Sequence, residues 1–324
     1  MWGRQMVERR SFIKISIAAA AGGIAVRALC DGARPARTDA PRIEDATVVP
    51  CFGGGWRMYA FTNRTTDIML STLFRSPSGK LVMVDGGWGL DGDFLQPVLK
   101  RLGGVVDTWF LTHAHRDHYG ALWKILKKPD CGGVNIGRVV HSFLPVGFLA
   151  ATEKACAVYV DEFMRDLANS GLAVEKPSAG CRYDFGEGLS FECLNDYDLS
   201  MRRDAVNNSS ICYRVVNNGK SILVTGDVSV EMGAKMLATL PAEKLRSDIC
   251  FMAHHGQAGA DKRFYAAVMP EMCIWPTPQW LWDNDLGGVN GPGSGPFATN
   301  YTKCWMQELG VRRQYLLTRD FVFT

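Results

Sequence analysis

Leu111-Thr-His-Ala-His-Arg-Asp-His-Tyr-Gly120 decides how this chain is read. It holds His113, His115, Asp117 and His118, and so three of the protein's six histidines. Residues 105–111 before it are β-branched and aromatic and read as a short buried strand. Residues 121–128 after it, Ala-Leu-Trp-Lys-Ile-Leu-Lys-Lys, carry apolar positions at helical spacing. The histidines therefore occupy a strand-to-helix turn, where neighbouring side chains converge on one point. Imidazole and carboxylate suit zinc, and a catalytic site keeps one coordination position open.

Three other strand ends carry the same kind of residue. Leu81-Val-Met-Val-Asp85-Gly86-Gly87 is an apolar strand ending in an acid and glycines. Ile222-Leu-Val-Thr-Gly226-Asp227 is another, and a carboxylate closing a buried strand is costly without a cation partner. Phe251-Met-Ala-His254-His255-Gly256 delivers two adjacent histidines, which point in different directions at a strand end.

Together with His113-X-His115-X-Asp117-His118, these pieces resemble the metallo-β-lactamase fold hydrolases, over roughly residues 48–324. With Asn207-Asn208-Ser209-Ser210 ahead of the Thr-Gly-Asp strand, the chain is similar to the ComEC-type competence-protein and phosphorylcholine-esterase branch. The resemblance implies an α/β fold, a four-layered αββα sandwich. It also implies two divalent ions: Zn2+ by default, with Mn2+ or Fe compatible. One ion would take His113, His115 and Asp227, and the other Asp117, His118, Asp227 and one of His254 or His255. His255 is taken as the ligand and His254 as a proton donor or substrate contact, with Asp117 also in the catalysis. Asp85 is expected to hold the histidine turn through hydrogen bonds. Many members place a further histidine before the bridging aspartate, but none lies between His141 and Asp227. The first ion is thus one protein ligand short and only partly occupied, and Asn207, Asn208 and Ser209 are expected to line the site instead.

Two other features bear on substrate. His141 closes the strand-like run 137–141 and faces substrate or donates a proton, or else is structural. Residues 276–296 form a long loop rich in glycine and tryptophan, a type of loop that is usually functional. Trp280 and Trp282 there are expected to cage an alkylammonium head or stack on a base.

At 324 residues and 47% hydrophobic, the chain is long and apolar enough for a large core. Residues 1–46 are read apart from the hydrolase domain at 47–324. Glu8-Arg-Arg-Ser-Phe-Ile-Lys14 resembles a twin-arginine export signal, and the apolar run 15–26 is too short to span a bilayer. Residues 31–46 read as a disordered spacer. The expected partners are the export machinery and a phosphoester substrate, with a periplasmic or extracellular location and no stable transmembrane segment after cleavage. The net charge is +3, and residues 1–30 carry five basic groups against one acidic. The remainder is close to neutral, so no global pull on nucleic acid is indicated. The ten cysteines are scattered without any Cys-X-X-Cys pair and read mostly as small buried hydrophobes.

The expected activity is hydrolysis of a phosphoester or phosphodiester by a hydroxide held between two cations. An amide or lactam hydrolase and a metal-binding envelope protein with little turnover are the alternatives.

Overall fold

The structure, a computed structural model, describes residues 43–324. The export signal and most of the spacer expected in the sequence lie outside these residues. Ile43–Asp45 forms a 3-10 turn and Ala46 is buried, so defined structure is present at Ile43 already, not only from Thr47.

Two sheets pack face to face. The first contains β1 (Thr47–Val49), β2 (Arg57–Ala60), β3 (Ser71–Arg75), β4 (Leu81–Asp85), β5 (Val105–Phe110), β6 (Asn135–Val140), β7 (Ala173–Glu175) and β15 (Phe321–Phe323). Its order is β1-β15-β2-β3-β4-β5-β6-β7. The second contains β8 (Arg182–Gly186), β9 (Leu189–Cys193), β10 (Tyr213–Asn217), β11 (Lys220–Val224), β12 (Ile249–Phe251), β13 (Met272–Trp275) and β14 (Arg313–Leu316). Its order is β14-β13-β12-β11-β10-β9-β8.

The inner faces of both sheets form one core, in which Phe110 stacks on Phe191 at 4.7 Å between ring centroids. The outer face of the first sheet is covered by the helices Gly92–Arg101, Arg116–Leu126 and Lys154–Asn169. The outer face of the second is covered by Val230–Thr239, Lys262–Val268 and Thr299–Glu308. Every residue of β4 is buried, as expected for a strand covered on both faces, which explains its unbroken apolar run. The four layers are helix, sheet, sheet, helix. Among the described residues, no helix is long and apolar enough to cross a membrane.

β4, β5 and β6 run parallel in one sheet, and β11 and β12 run parallel in the other. Their carboxyl ends carry Asp85, the 111–118 turn, His141, Asp227 and His254–His255 to one rim, where open α/β sheets bind ligands.

Two helices differ from the expectation. The helix after the histidine turn starts at Arg116, inside the motif, because His115 is extended (φ −96°, ψ 146°) and ends the non-helical segment. Asp117 and His118 therefore sit in a helical first turn. Residues 151–170, whose apolar stripe at helical spacing reads as one amphipathic helix, are split at Glu153 (φ −138°, ψ 69°) between the helices Val146–Thr152 and Lys154–Asn169.

Asp91 shows how a buried acid near this rim shapes stability. It accepts from the Arg64 N–H at 2.8 Å and the Trp88 N–H at 2.9 Å and is 1% exposed. Burial pushes its carboxyl up to about 6, against the opposing pull of those two hydrogen bonds. The folded protein therefore holds this proton more tightly than the unfolded chain does. The stabilisation is complete below about pH 4 and is lost as pH rises through 6. At about 1.4 kcal/mol per unit this amounts to roughly 3 kcal/mol. Urea unfolding of wild type and Asp91→Asn across pH 4–7 checks it: wild type should lose roughly 3 kcal/mol relative to the variant as pH rises.

Candidate metal centre

Asp85 organises the histidine turn from beneath. It is fully buried with φ 52°. Its Oδ1 accepts from the Thr112 N–H at 2.8 Å and its Oδ2 from the Thr112 hydroxyl at 2.7 Å. His118 Nδ1 lies 2.8 Å from the same Oδ2, so a ring proton is held there and Nε2 is the nitrogen left to face a cation. Asp85→Ala removes all three bonds at once. The expected loss is about 3 kcal/mol of stability, from hydrogen bonds to a charged group. A loss of metal affinity of about tenfold or more should accompany it. Denaturant unfolding and metal titration measure the two effects.

Two sets of donor atoms converge above Asp85. Asp117, His118, Asp227 and His255 form one, and His113, His115 and Asp227 the other, with the atoms of each set within 4.8 Å of one another. In the first, His255 Nε2 is 3.0 Å from Asp117 Oδ2 and 3.5 Å from Asp227 Oδ2. His118 Nε2 is 3.4 Å from Asp117 Oδ2 and 3.3 Å from Asp227 Oδ1. In the second, His113 Nε2 is 3.0 Å from His115 Nδ1 and 3.7 Å from Asp227 Oδ2. Asp227 belongs to both sets.

This arrangement fits divalent cations. Ligands about 2.0–2.2 Å from a tetrahedral zinc lie about 3.3–3.6 Å from each other, close to most of the separations seen here. His118 Nε2 and Asp227 Oδ1 are buried without a hydrogen-bond partner, an unfavourable state that a cation would relieve. The charge balance agrees. Burial alone pushes the Asp227 carboxyl up, but the His255, His118, His113 and His254 rings outweigh it and hold Asp227 well below the usual carboxylate range. Asp117 is held low in the same way, against burial, by His118 and His255. Burial and the neighbouring His118 push His113 well below its ordinary value. Against burial, Asp227 and Asp117 hold His118 well above its ordinary value and raise His255 to about 9, so without a cation protons on these rings balance the two carboxylates, and a bound cation would displace them.

The remaining contacts show how the chain folds to build these sets. Gly226 has φ 54°, and a Cβ there would meet Thr112 Cβ at 2.9 Å. Only glycine lets the end of β11 approach the histidine turn so closely. Ser210 Oγ accepts from the Asp227 N–H at 3.0 Å and fixes the carboxylate's backbone. His254 and His255 have φ 50° and 54°, a tight left-handed turn that separates their rings. His255 turns inward, fully buried, and its Nδ1 donates to the Pro276 carbonyl at 2.9 Å. His254 lies on the open side, with its side chain 18% exposed and Nε2 3.8 Å from Asp227 Oδ2.

Other expected site residues stand elsewhere. Asn208 donates to the Arg203 carbonyl at 3.1 Å and accepts from the Met232 N–H at 3.1 Å. Ser209 Oγ donates to the Val206 carbonyl at 2.7 Å. Both secure the short helix Ala205–Asn208. Asn207 donates to Asp204 at 2.8 Å, but its Oδ1 is buried and unpartnered, so it keeps a free acceptor. His141 is 7% exposed, stacks on Phe143 at 4.7 Å and accepts from the Phe143 N–H at 3.3 Å. Burial lowers it to about 4, so its ring is neutral at pH 7, with the ring proton on the unpartnered Nε2 because Nδ1 accepts from Phe143. Trp280 and Trp282 form no cage. Trp282 packs edge-on against Trp275 at 5.1 Å beneath Lys303, while Trp280 turns to Phe297 and donates to the Thr66 carbonyl at 2.9 Å. Cys193, Cys212, Cys250 and Cys273 are buried, and the nine cysteines of the described residues are free thiols.

Sequence reasoning missed Thr112 and Glu153, and of the Asn207–Ser210 stretch it is Ser210 that bonds to the Asp227 backbone. Glu153 Oε2 lies 3.7 Å from His115 Nε2 and its Oε1 accepts from the Val206 N–H at 2.9 Å. Its only signal in the sequence was a place near the start of an amphipathic helix, which many solvated glutamates share.

Residues 65–153 match the Metallo-beta-lactamase superfamily. ComE operon protein 3 of Bacillus subtilis is 24% identical over 173 residues, 52% of this chain and 20% of that protein. Recombination protein 2 of Haemophilus influenzae is 25% identical over 210 residues, 63% of this chain and 22% of that protein. The match thus spans only about a fifth of the length of these curated relatives. Among solved structures, that of unliganded yeast PDE1 superposes with a TM-score of 0.46 at 10% identity, covering 81% of this chain and 97% of that one. The chain carries a metallo-beta-lactamase superfamily domain. It is weakly homologous to the two ComEC-type proteins, and its buried histidine and aspartate sets could hold divalent cations.

Proposed function

We propose that the protein hydrolyses a phosphoester or phosphodiester with a pair of divalent cations. The observation that carries this reading is that Asp227 belongs to both donor sets, so that two cations would sit side by side. Such a pair activates water and clamps both the attacking and the leaving oxygen of a phosphoryl group in line. His113, His115 and Asp227 would hold one cation, and Asp117, His118, His255 and Asp227 the other. Asp85, Thr112 and Ser210 keep these ligands in place. His254, on the open side beside Asp227, is placed to pass a proton to the leaving group.

Arg116 favours an anionic substrate. It stands within the motif, its guanidinium over the rings of Trp88 at 5.4 Å and Tyr159 at 4.5 Å, and among the described residues it makes no ion pair within 4 Å. The amide or lactam reading finds no further histidine in the His113 set. Export by the twin-arginine route is part of the proposal and rests on Glu8-Arg-Arg-Ser-Phe-Ile-Lys14 alone.

The test is a panel of bis-p-nitrophenyl phosphate, a phosphorylcholine ester, single-stranded DNA and a chromogenic cephalosporin, run on metal-loaded protein. Turnover of at least one phosphoester, lost in Asp117→Ala, supports the proposal. Turnover of the cephalosporin alone would replace it with the lactam reading. Bound metal with no turnover on any of the four would favour a binding protein.

A further inference from the structure

His115 has two faces. Its Nδ1 looks towards His113 Nε2 at 3.0 Å, and its Nε2 looks away, towards Glu153 Oε2 at 3.7 Å. Cys156 Sγ lies 3.8 Å from that same oxygen. His115, Glu153 and Cys156 each offer a donor atom within 4.8 Å of the other two, a third group that shares only His115 with the His113–His115–Asp227 set. Glu153 and Cys156 are three residues apart where the helix Lys154–Asn169 begins, a spacing that puts both on one face. Glu153 is held ready, because its Oε1 is tied to the Val206 N–H while Oε2 faces the other two residues. All three are half-buried, with the His115 and Glu153 side chains 26% and 23% exposed, so a cation can enter and leave.

The donor chemistry is selective. Imidazole, carboxylate and thiolate together suit zinc, whereas manganese and magnesium favour oxygen ligands. A neutral imidazole has one free lone pair, so His115 can serve one cation at a time. We propose that His115, Glu153 and Cys156 form a separate site for zinc or another thiophilic divalent cation. Filling it inhibits the hydrolase by drawing His115 away from the His113–Asp227 set. The inhibition rests on the two-cation reading above; the site itself does not. Its consequence is a metal-dependent brake: zinc activates at low concentration and inhibits in excess, and manganese only activates.

Cobalt(II) titration of the purified protein tests the site directly, because a cobalt–thiolate bond gives a sulfur-to-metal charge-transfer absorption that nitrogen and oxygen ligands do not. The band should appear only after the tightly bound equivalents are filled. It should vanish in Cys156→Ser and weaken in Glu153→Gln, which keeps an acceptor for Val206. In both variants, the excess zinc needed for half-inhibition, read against each variant's own uninhibited rate, should rise by about tenfold or more. Tightly bound cobalt without a thiolate band, or a band that survives Cys156→Ser, overturns this inference and leaves the proposed function standing. Wild-type protein that binds no ion tightly would instead defeat the two-cation reading.

Discussion

Asp227→Ala should reduce turnover of an activated phosphodiester by on the order of 10³-fold, more than any other single substitution at this centre. The reason is its double membership. Asp117 and His255 belong to one donor set and His113 and His115 to the other, but Asp227 belongs to both. Removing it takes a ligand from each cation and the one carboxylate that faces the His113, His118, His254 and His255 rings together. Cations stabilise the developing charge in such reactions by several kcal/mol. About 4 kcal/mol corresponds to 10³ in rate. Metal content should fall in parallel, which separates loss of the centre from loss of the fold. His141→Ala, which alters a neutral ring outside both sets, should stay within about tenfold of wild type. Steady-state kinetics and metal analysis on the two variants decide the matter. Asp227→Ala with full metal content and near-normal kcat/KM would remove the basis for a shared carboxylate.

What was legible in the sequence follows from how local each signal is. His113, His115, Asp117 and His118 lie within six residues, so their convergence needs only a turn. Asp85, Asp227 and the His254–His255 pair were legible because each closes an apolar run, and parallel strands carry their ends to one rim. The four layers followed from the strand and helix patterns and the resemblance together. For Asn208 and Ser209 the structure shows bonds to the backbone of a short helix, a role invisible in sequence because the same groups can bind substrate. Trp282 was misread for a similar reason: a tryptophan in a glycine-rich loop looks alike whether it faces a ligand or, as in this fold, Trp275. Glu153 was illegible because its partner, His115, is distant in sequence and the contact needs a break in the helix that no proline or glycine announces.

Exhaustive chelation should lower the thermal midpoint by on the order of 10 °C. A cation that binds only the folded state, at a free concentration about a thousand times its dissociation constant, stabilises by about 4 kcal/mol. For a domain of this size each kcal/mol moves the midpoint by about 2–4 °C. The set with four protein ligands, Asp117, His118, Asp227 and His255, should supply most of the effect; the His113 set, with three, should release its ion first. Loss of the metal leaves His118 Nε2 and Asp227 Oδ1 buried without partners, in a region where the sheets and helices hold them too firmly to reach water. The melting curve should therefore shift in two stages as chelator strength increases, a small step and then a large one. Asp85→Ala should show a smaller shift on chelation than wild type, because the tautomer that turns His118 towards the metal is no longer fixed. Scanning calorimetry at matched protein concentration, with metal content measured at each stage, provides the check. A midpoint that stays within about 2 °C after verified removal of all metal would mean that these buried side chains satisfy one another, and that the centre contributes nothing to holding the two sheets together at this rim.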